Sequence, residues 1–111
     1  MKSTIEYFDF EKLDLRVGEV VDAIVPAWSE KLIELKVNFG DEIGEKTIFS
    51  GVKQWYVPGD FLNKKFIFII NLVERKMGPA VSQGMMLMVD SDNQPQPIEL
   101  SNLAQVGAII R

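Results

Sequence analysis

Hydrophobic and polar residues alternate along several segments of the chain with the two-residue period of a β-strand. The alternation is most regular over residues 30–39 (EKLIELKVNF), where every second residue is apolar up to Phe39. Weaker forms of the pattern predict four more strands, at residues 13–25, 46–52, 64–74 and 82–90. Gly40 and Gly44 provide positive-φ positions for a hairpin after Phe39. The pattern therefore predicts a chain made mainly of short strands.

Helical signals are weak and short. Pro58 stands in the first turn of a candidate helix at residues 57–65, and residues 8–15 support a turn or two. Residues 91–97 are predicted to be a loop from their composition. Five strands with a short helix between the third and fourth match the layout of an OB-fold barrel. The sequence thus predicts one all-β domain, residues 1–111, built as a five-stranded OB-fold barrel.

The first predicted strand is long, and its alternation slips at Gly18. A glycine at such a slip predicts a β-bulge or a sharp bend.

The fourth and fifth predicted strands are apolar on both faces, whereas a small barrel needs only one apolar face. Two-sided burial requires a parallel sheet, a cover from the chain's own termini, or a partner subunit, and the chain has no crossover helices for a parallel sheet. Both ends of the chain are also apolar, and they include Ile5, Tyr7, Phe8, Phe10, Leu103, Val106, Ile109 and Ile110. Obligate dimer interfaces resemble a core cut in half. We therefore expect the terminal extensions to form a homodimer; a monomer wrapped by its own termini is the alternative.

Histidine and cysteine are both absent from the 111 residues. This removes the commonest general base, the thiolate nucleophile and nearly all zinc ligand sets. The sixteen Asp and Glu residues are scattered and form no tight acidic motif. We expect a protein that is not an enzyme and that uses no cofactor or metal. No apolar run approaches the roughly 20 residues of a membrane helix, and acids occupy the first residues where a signal peptide is apolar, so we expect a cytoplasmic protein.

The net charge of −4 is unevenly distributed. Residues 1–45 contain five Lys/Arg and eleven Asp/Glu, whereas residues 46–88 contain six Lys/Arg and two Asp/Glu. Exposed charges further apart than a Debye length of about 8 Å are largely screened in physiological salt. A local excess of cations can therefore attract phosphates even in an acidic chain. The alternative is that these lysines only solvate the ends of strands.

Several motifs together resemble the tRNA-binding OB-fold family. They are LDLRVGEV (13–20), EKLIELKVNFG (30–40), IFSGV (48–52) and KKFIFIINLVERKMGPAVSQGMMLMVD (64–90). The family includes the β-subunit or C-terminal domain of methionyl-tRNA synthetase, free-standing dimeric tRNA-binding proteins and the secretion chaperone CsaA. The resemblance implies a five-stranded barrel whose terminal segments build a homodimer. It also implies tRNA as the ligand, with a methionyl-tRNA synthetase catalytic subunit as a further partner.

The resemblance further implies a nucleic-acid face on this chain. Its principal residues would be Asn71, Arg75, Lys76, Ser82, Gln83 and Met85, with Lys31, Ser50, Lys53 and Lys64 as lesser candidates. Arg75 and Lys76 would contact phosphates, and Met85 would seat an unstacked base. Asn71 and Ser82 would hydrogen-bond 2′-hydroxyls or phosphates. Two structural alternatives stay open: Asn71 could hold a strand turn through backbone contacts, and Ser82 could cap the start of the fifth strand.

Two stretches depart from the family pattern. Residues 25–32 (VPAWSEKL) carry Trp28 where many relatives have a polar loop. Trp28 could stack on a base, which contributes about 1–3 kcal/mol, or pack on a partner subunit. Pro79 in the MGPAV stretch alters the expected loop near Arg75.

A second function stays open at this stage, that of a CsaA-like chaperone that binds unfolded or pre-secretory peptides. The acidic net charge, the methionine cluster and the surplus of apolar residues favour it, because such a surface can repack around varied segments. Trp28 and Met85 would be its peptide-binding residues.

Overall fold

The computed structural model describes all residues from 1 to 111. Its main sheet has five antiparallel strands in the order β3-β2-β1-β4-β7. These strands are β1 (Leu15–Ile24), β2 (Ile33–Asn38), β3 (Glu45–Ser50), β4 (Lys65–Ile69) and β7 (Met85–Met86). The two edges approach each other, since the Gln83 N–H donates to the Thr47 carbonyl at 2.8 Å. The result is a nearly closed barrel, which confirms the all-β, five-stranded prediction.

The remaining elements lie around the barrel. They are α1 (Tyr7–Glu11), a 3₁₀ turn (Pro58–Asp60), the hairpin of β5 (Arg75–Met77) and β6 (Ala80–Ser82), and the hairpin of β8 (Met88–Ser91) and β9 (Gln94–Pro97). The C-terminal tail has no strand of its own and adds isolated bridges, Arg16 to Ile109 and Phe66 to Glu99.

The first strand serves two neighbours, which is why it is long. Residues 15–19 pair with β4 and residues 19–24 pair with β2, and the register shifts once, between Val20 and Asp22. The predicted bulge is therefore present, but three residues after Gly18. Gly18 is needed for packing instead, because a Cβ there would lie 2.5–2.7 Å from side-chain atoms of Val37, Phe39 and Phe68.

The core fills the barrel with aliphatic and aromatic side chains. Its fully buried members are Val20, Ile33, Leu35, Val37, Phe39, Ile48, Phe61, Phe66 and Phe68. Phe39 and Phe68 meet edge-to-face with ring centroids 5.4 Å apart. Burying each large apolar side chain contributes about 1.5–3 kcal/mol, so this cluster dominates the stability of the barrel.

The predicted helix position is not what the structure has. The α-helix lies at the N-terminus. Between β3 and β4 the one helical element is a single 3₁₀ turn. Gly59 weakens any helix at this place, and Asn63 has a left-handed φ of +63°, which ends a helix.

Two further predictions need correction. The fourth strand ends at Ile69, five residues early, because residues 75–82 turn back as the β5–β6 hairpin. The predicted loop at 91–97 contains β9, which pairs only with β8, so its prolines stand in an edge strand where a missing N–H is tolerated.

The outer face of the barrel is partly covered by the chain's own C-terminal tail. The Leu100 N–H donates to the Lys65 carbonyl at 2.8 Å, and the Val17 N–H donates to the Ala108 carbonyl at 3.0 Å. The C-terminal tail therefore pairs with strands of its own barrel. Helix α1, by contrast, has no buried residue.

Candidate nucleic-acid interface

A groove of about 690 Å³ lies between the end of β3, the β5–β6 hairpin and strands β7 and β8. It is lined by the apolar residues Phe49, Leu72, Val73, Met77, Met85, Met86, Leu87 and Met88, by the polar residues Ser50, Arg75, Ser82 and Asp90, and by Gly51 and Gly84. All four internal methionines of the chain line this one groove.

The β5–β6 hairpin presents Arg75 to the groove, whereas Lys76, the next residue of β5, points to the opposite face of the hairpin. Met77 pairs with Ala80, so Gly78 and Pro79 form a two-residue turn. Gly78 has a φ of +55°, and proline fixes a negative φ at the second position, a combination that matches a type II′ hairpin turn. Pro79, which departs from the family pattern, therefore fits a regular hairpin.

Trp28 lies on this hairpin turn, and it does not line the groove. A Cβ on Gly78 would come within 2.7 Å of Trp28 Cζ3, and the indole packs on Phe49 with ring centroids 5.6 Å apart. The ring thus braces the hairpin against β3, and 42% of the residue stays exposed.

The cations at the groove have no acidic partner within ion-pair distance. The ion pairs of the chain are Lys12–Asp9, Arg16–Asp14, Lys36–Glu34 and Lys64–Glu99. Arg75 and Lys76 are both exposed and belong to none of them. Their charges are therefore available to an external anion.

Lys31 and Lys53 stand together beyond the groove end of β3. The Lys53 N–H donates to the Lys31 carbonyl at 3.2 Å, and both side chains are exposed without an ion pair. Ser50, the last residue of β3, lines the groove three positions before Lys53. The structure therefore brings these three lesser candidates to the same end of the barrel as Arg75.

Lys64 is separated from the other candidates. It precedes the first residue of β4, whereas Met85 pairs with Ile69 at the last residue of that strand. Five residues of strand correspond to about 16 Å. Lys64 also has Glu99 Oε1 at 3.9 Å.

Ser82 and Gln83 hold the barrel closed. Ser82 is 3% exposed, and its hydroxyl accepts from the Phe49 N–H at 3.1 Å and donates to the Gly84 carbonyl at 2.9 Å. Gln83 Oε1 accepts from the Thr47 N–H at 2.8 Å. These side chains take the place of backbone hydrogen bonds between β3 and the segment that leads into β7. Their oxygen atoms are therefore already hydrogen-bonded to backbone groups.

Asn71 is engaged in the same way at the other side of the hairpin. Its Oδ1 accepts from the Asp14 N–H at 2.8 Å, and its Nδ2 donates to the Lys12 carbonyl at 2.7 Å. It therefore links the chain after β4 to the segment that follows α1, through backbone groups distant in sequence and not through a local strand turn.

No group of three or more His, Cys, Asp or Glu residues is placed to hold a metal ion. No helix combines the length and the apolar character needed to cross a bilayer.

The sequence pattern of the family described as "Putative tRNA binding domain" matches residues 15–108. The chain belongs to this family. Membership confirms the resemblance inferred from the sequence motifs, and it agrees with a barrel that presents unpaired cations beside an open groove.

The chain is 36% identical over 113 residues to the methionine–tRNA ligase of Clostridium acetobutylicum, with 100% of this chain but 17% of that ligase covered. It thus spans about a sixth of the length of that relative. The MetRS related protein from Pyrococcus horikoshii is 31% identical with a TM-score of 0.93, covering 99% of this chain and 100% of that one. The CsaA chaperone protein from Picrophilus torridus is 26% identical with a TM-score of 0.87, covering 97% and 100%.

Several groove residues were not among the sequence candidates. They are Leu72, Val73, Met77, Leu87, Met88 and Asp90. The clustering of methionine in the Met85–Met88 run was the available signal for an apolar groove. Met77 and Asp90 could not be found in that way, because they are brought in by two hairpins that the strand pattern did not predict.

Proposed function

We propose that the chain binds tRNA at the groove and its cationic rim without catalysing a reaction, and that it does so as a homodimer in the cytoplasm. The observation that carries the proposal is an open apolar groove lined by the unpaired Arg75, with three more unpaired cations on neighbouring segments: Lys76, Lys31 and Lys53. The similarity to methionine–tRNA ligases supports a synthetase catalytic subunit as a further partner.

The acidic residues of the β2–β3 hairpin lie away from this rim. Asp41 and Glu42 are in the hairpin turn, and Glu45 starts β3, whereas Ser50 at the groove ends it. Six residues of strand place the acids about 17 Å or more from the groove, roughly two Debye lengths. An RNA bound at the groove therefore experiences the cations far more strongly than the net charge of −4.

The homodimer rests on a second exposed apolar area, which we name the terminal surface: Tyr7, Phe8, Leu13 and Ile109. Tyr7, Leu13 and Ile109 line a common depression of about 180 Å³, and Phe8 follows Tyr7 in α1. Tyr7 is 66% exposed and Ile109 is 59% exposed. A second copy that covers this surface would place two grooves on one particle, which raises the affinity for tRNA through avidity.

The test is a mobility-shift titration of bulk tRNA with Arg75→Glu plus Lys76→Glu. We expect a loss of affinity on the order of 10²-fold at low salt, because two phosphate contacts are replaced by repulsion. Lys46→Glu plus Lys64→Glu is the matched control, since it makes the same charge change at the far ends of β3 and β4. Equal losses in both variants, or tRNA binding by neither variant nor the wild type, would contradict the proposal.

A second candidate function, peptide binding, is favoured by the eight apolar residues of the groove and by the likeness to a CsaA chaperone protein. It predicts binding of an unfolded peptide that is insensitive to salt and weakened by Met85→Asp. Trp28→Ala would weaken it indirectly, through loss of the brace on the hairpin. Unaltered peptide binding in Met85→Asp would exclude the groove as the peptide site.

A further inference from the structure

The groove combines a small volume, walls without an exposed aromatic ring, and one carboxylate opposite the cationic hairpin. We infer that it accepts one or two unpaired nucleotides of the bound RNA and that Asp90 selects bases that carry an exocyclic amino group. This inference rests on the proposed tRNA binding and names the part of the RNA that the groove takes.

The volume limits what can enter. About 690 Å³ falls within the range of roughly 300–1,000 Å³ that is typical of small-molecule sites. An RNA double helix does not fit into such a space, whereas a nucleotide from a loop or a chain end does. Proteins read RNA sequence mostly through such unpaired bases.

The apolar walls of the groove can contact any base, but they do not discriminate between bases. Phe49, the aromatic residue of the groove, is 4% exposed, so a base would contact thioether and aliphatic groups such as Met85 and Leu72. Methionine is flexible and polarisable, and it adapts to purines and pyrimidines alike. Selectivity must therefore come from the polar groups of the groove.

Among those groups, Asp90 is free to read a base. It lies two positions after Met88 in β8, so both side chains stand on the groove face of the strand. The carboxylate takes part in no ion pair or hydrogen bond, whereas the Ser82 hydroxyl already makes two bonds. Arg75 on the opposite hairpin supplies a contact for the phosphate.

A carboxylate is a pure acceptor, so it discriminates between base edges. The amino groups of cytosine, adenine and guanine donate to it. Uracil has a carbonyl oxygen in place of the cytosine amino group, and its one donor, the ring N3–H, lies between two carbonyl oxygens that repel a carboxylate. An unpaired cytosine in the groove is thus favoured over a uracil of nearly the same size and shape.

The experiment measures fluorescence anisotropy of labelled cytidine and uridine hexanucleotides with the full chain at low salt. We expect the cytidine hexamer to bind at least about 5-fold more tightly, the low end of what one good base contact gives. Asp90→Asn should bring the ratio close to one, because an amide both donates and accepts. Asp92→Asn is the matched control, since it removes the same charge in the β8–β9 turn outside the groove and should leave the ratio unchanged.

Three results would overturn the inference. Equal binding of the two hexamers by the wild type is one, and a ratio that Asp90→Asn leaves intact is another. The third is binding of an unfolded peptide at the groove when neither hexamer binds. A parallel titration with bulk tRNA separates the two claims. If the chain binds tRNA but shows no base preference, only the base selection by Asp90 is wrong. If the chain does not bind tRNA, the proposed function is wrong as well.

Discussion

The groove and the terminal surface are both apolar and exposed, but they differ in what happens to the cations beside them. At the terminal surface Lys12 is paired with Asp9, and Arg16 is paired with Asp14 at 2.6 Å. At the groove Arg75 and Lys76 have no such partner. The depression of the terminal surface is also lined by Glu11 and Arg111, whose opposite charges balance, so this surface has no cationic excess. The groove, by contrast, has unpaired cations on its hairpin.

This difference is the basis for proposing two kinds of interface on one small acidic chain. A surface of neutralised charge suits a second copy of the same chain, because two copies of an uncompensated cationic surface would repel each other. A surface with unpaired cations suits RNA.

The largest effect is expected from acids placed in the terminal surface. Tyr7→Asp plus Leu13→Asp should weaken self-association on the order of 10³-fold, because burying unpaired carboxylates is costly. Sedimentation velocity measures it. Val73→Asp plus Met85→Asp is the matched control at the groove and should leave the sedimentation coefficient unchanged. A wild-type chain that sediments as a monomer would remove the homodimer from the account.

The second largest effect is expected from salt, which should weaken tRNA binding at the groove but not self-association at the terminal surface. Raising salt from 50 to 200 mM should lower tRNA affinity by about 50- to 150-fold if four cations contact phosphates, and it should change the dimer dissociation constant by less than about 2-fold. Filter binding and sedimentation equilibrium in the same buffers give the comparison. Parallel salt slopes for both equilibria would show that the division by charge is wrong.

Substituting the side chains that close the barrel should lower the stability of the fold more than the affinity for tRNA. Ser82→Ala leaves the Phe49 N–H and the Gly84 carbonyl without their partner, which should lower the free energy of unfolding by about 1–3 kcal/mol. Denaturant titration measures the loss. Asn71→Ala is the counterpart on the terminal side, where its bonds to Lys12 and Asp14 are exposed and worth about 1 kcal/mol. A Ser82→Ala chain of wild-type stability that fails to bind tRNA would instead make Ser82 a direct RNA contact.

The smallest effect is expected from single lysines at the rim. Lys31→Gln and Lys53→Gln should each weaken tRNA binding by about 2- to 4-fold, the loss of one peripheral phosphate contact. Lys64→Gln should have no measurable effect, because it lies at the far end of β4. A Lys64→Gln effect equal to the other two would extend the interface along the barrel.

The strand pattern predicted the barrel because β2 alternates regularly and its apolar positions do face the core. It could not place the ends of the fourth and fifth strands, since the apolar residues after Ile69 read as more strand while they in fact line a groove. The Gly78-Pro79 turn carried a hairpin signal, but the strand pattern on either side concealed it.

The candidate site was predicted unevenly for a similar reason. Arg75, Lys76 and Met85 were assigned from residue type, and the structure places them at one groove or its rim. Ser82, Gln83 and Asn71 were assigned the same way, but their polar groups bond to backbone atoms distant in sequence. Only the folded chain reveals that such a group is already occupied.

The most direct measurement uses the five methionine methyl groups as reporters. Met77, Met85, Met86 and Met88 line the groove, and Met1 is fully exposed at the N-terminus, outside it. With methyl-labelled methionine, the account predicts that tRNA shifts the NMR signals of the groove methionines, above all exposed Met85, and leaves Met1 in place. Shifts confined to Met1, with the groove signals unmoved at saturating tRNA, would contradict it.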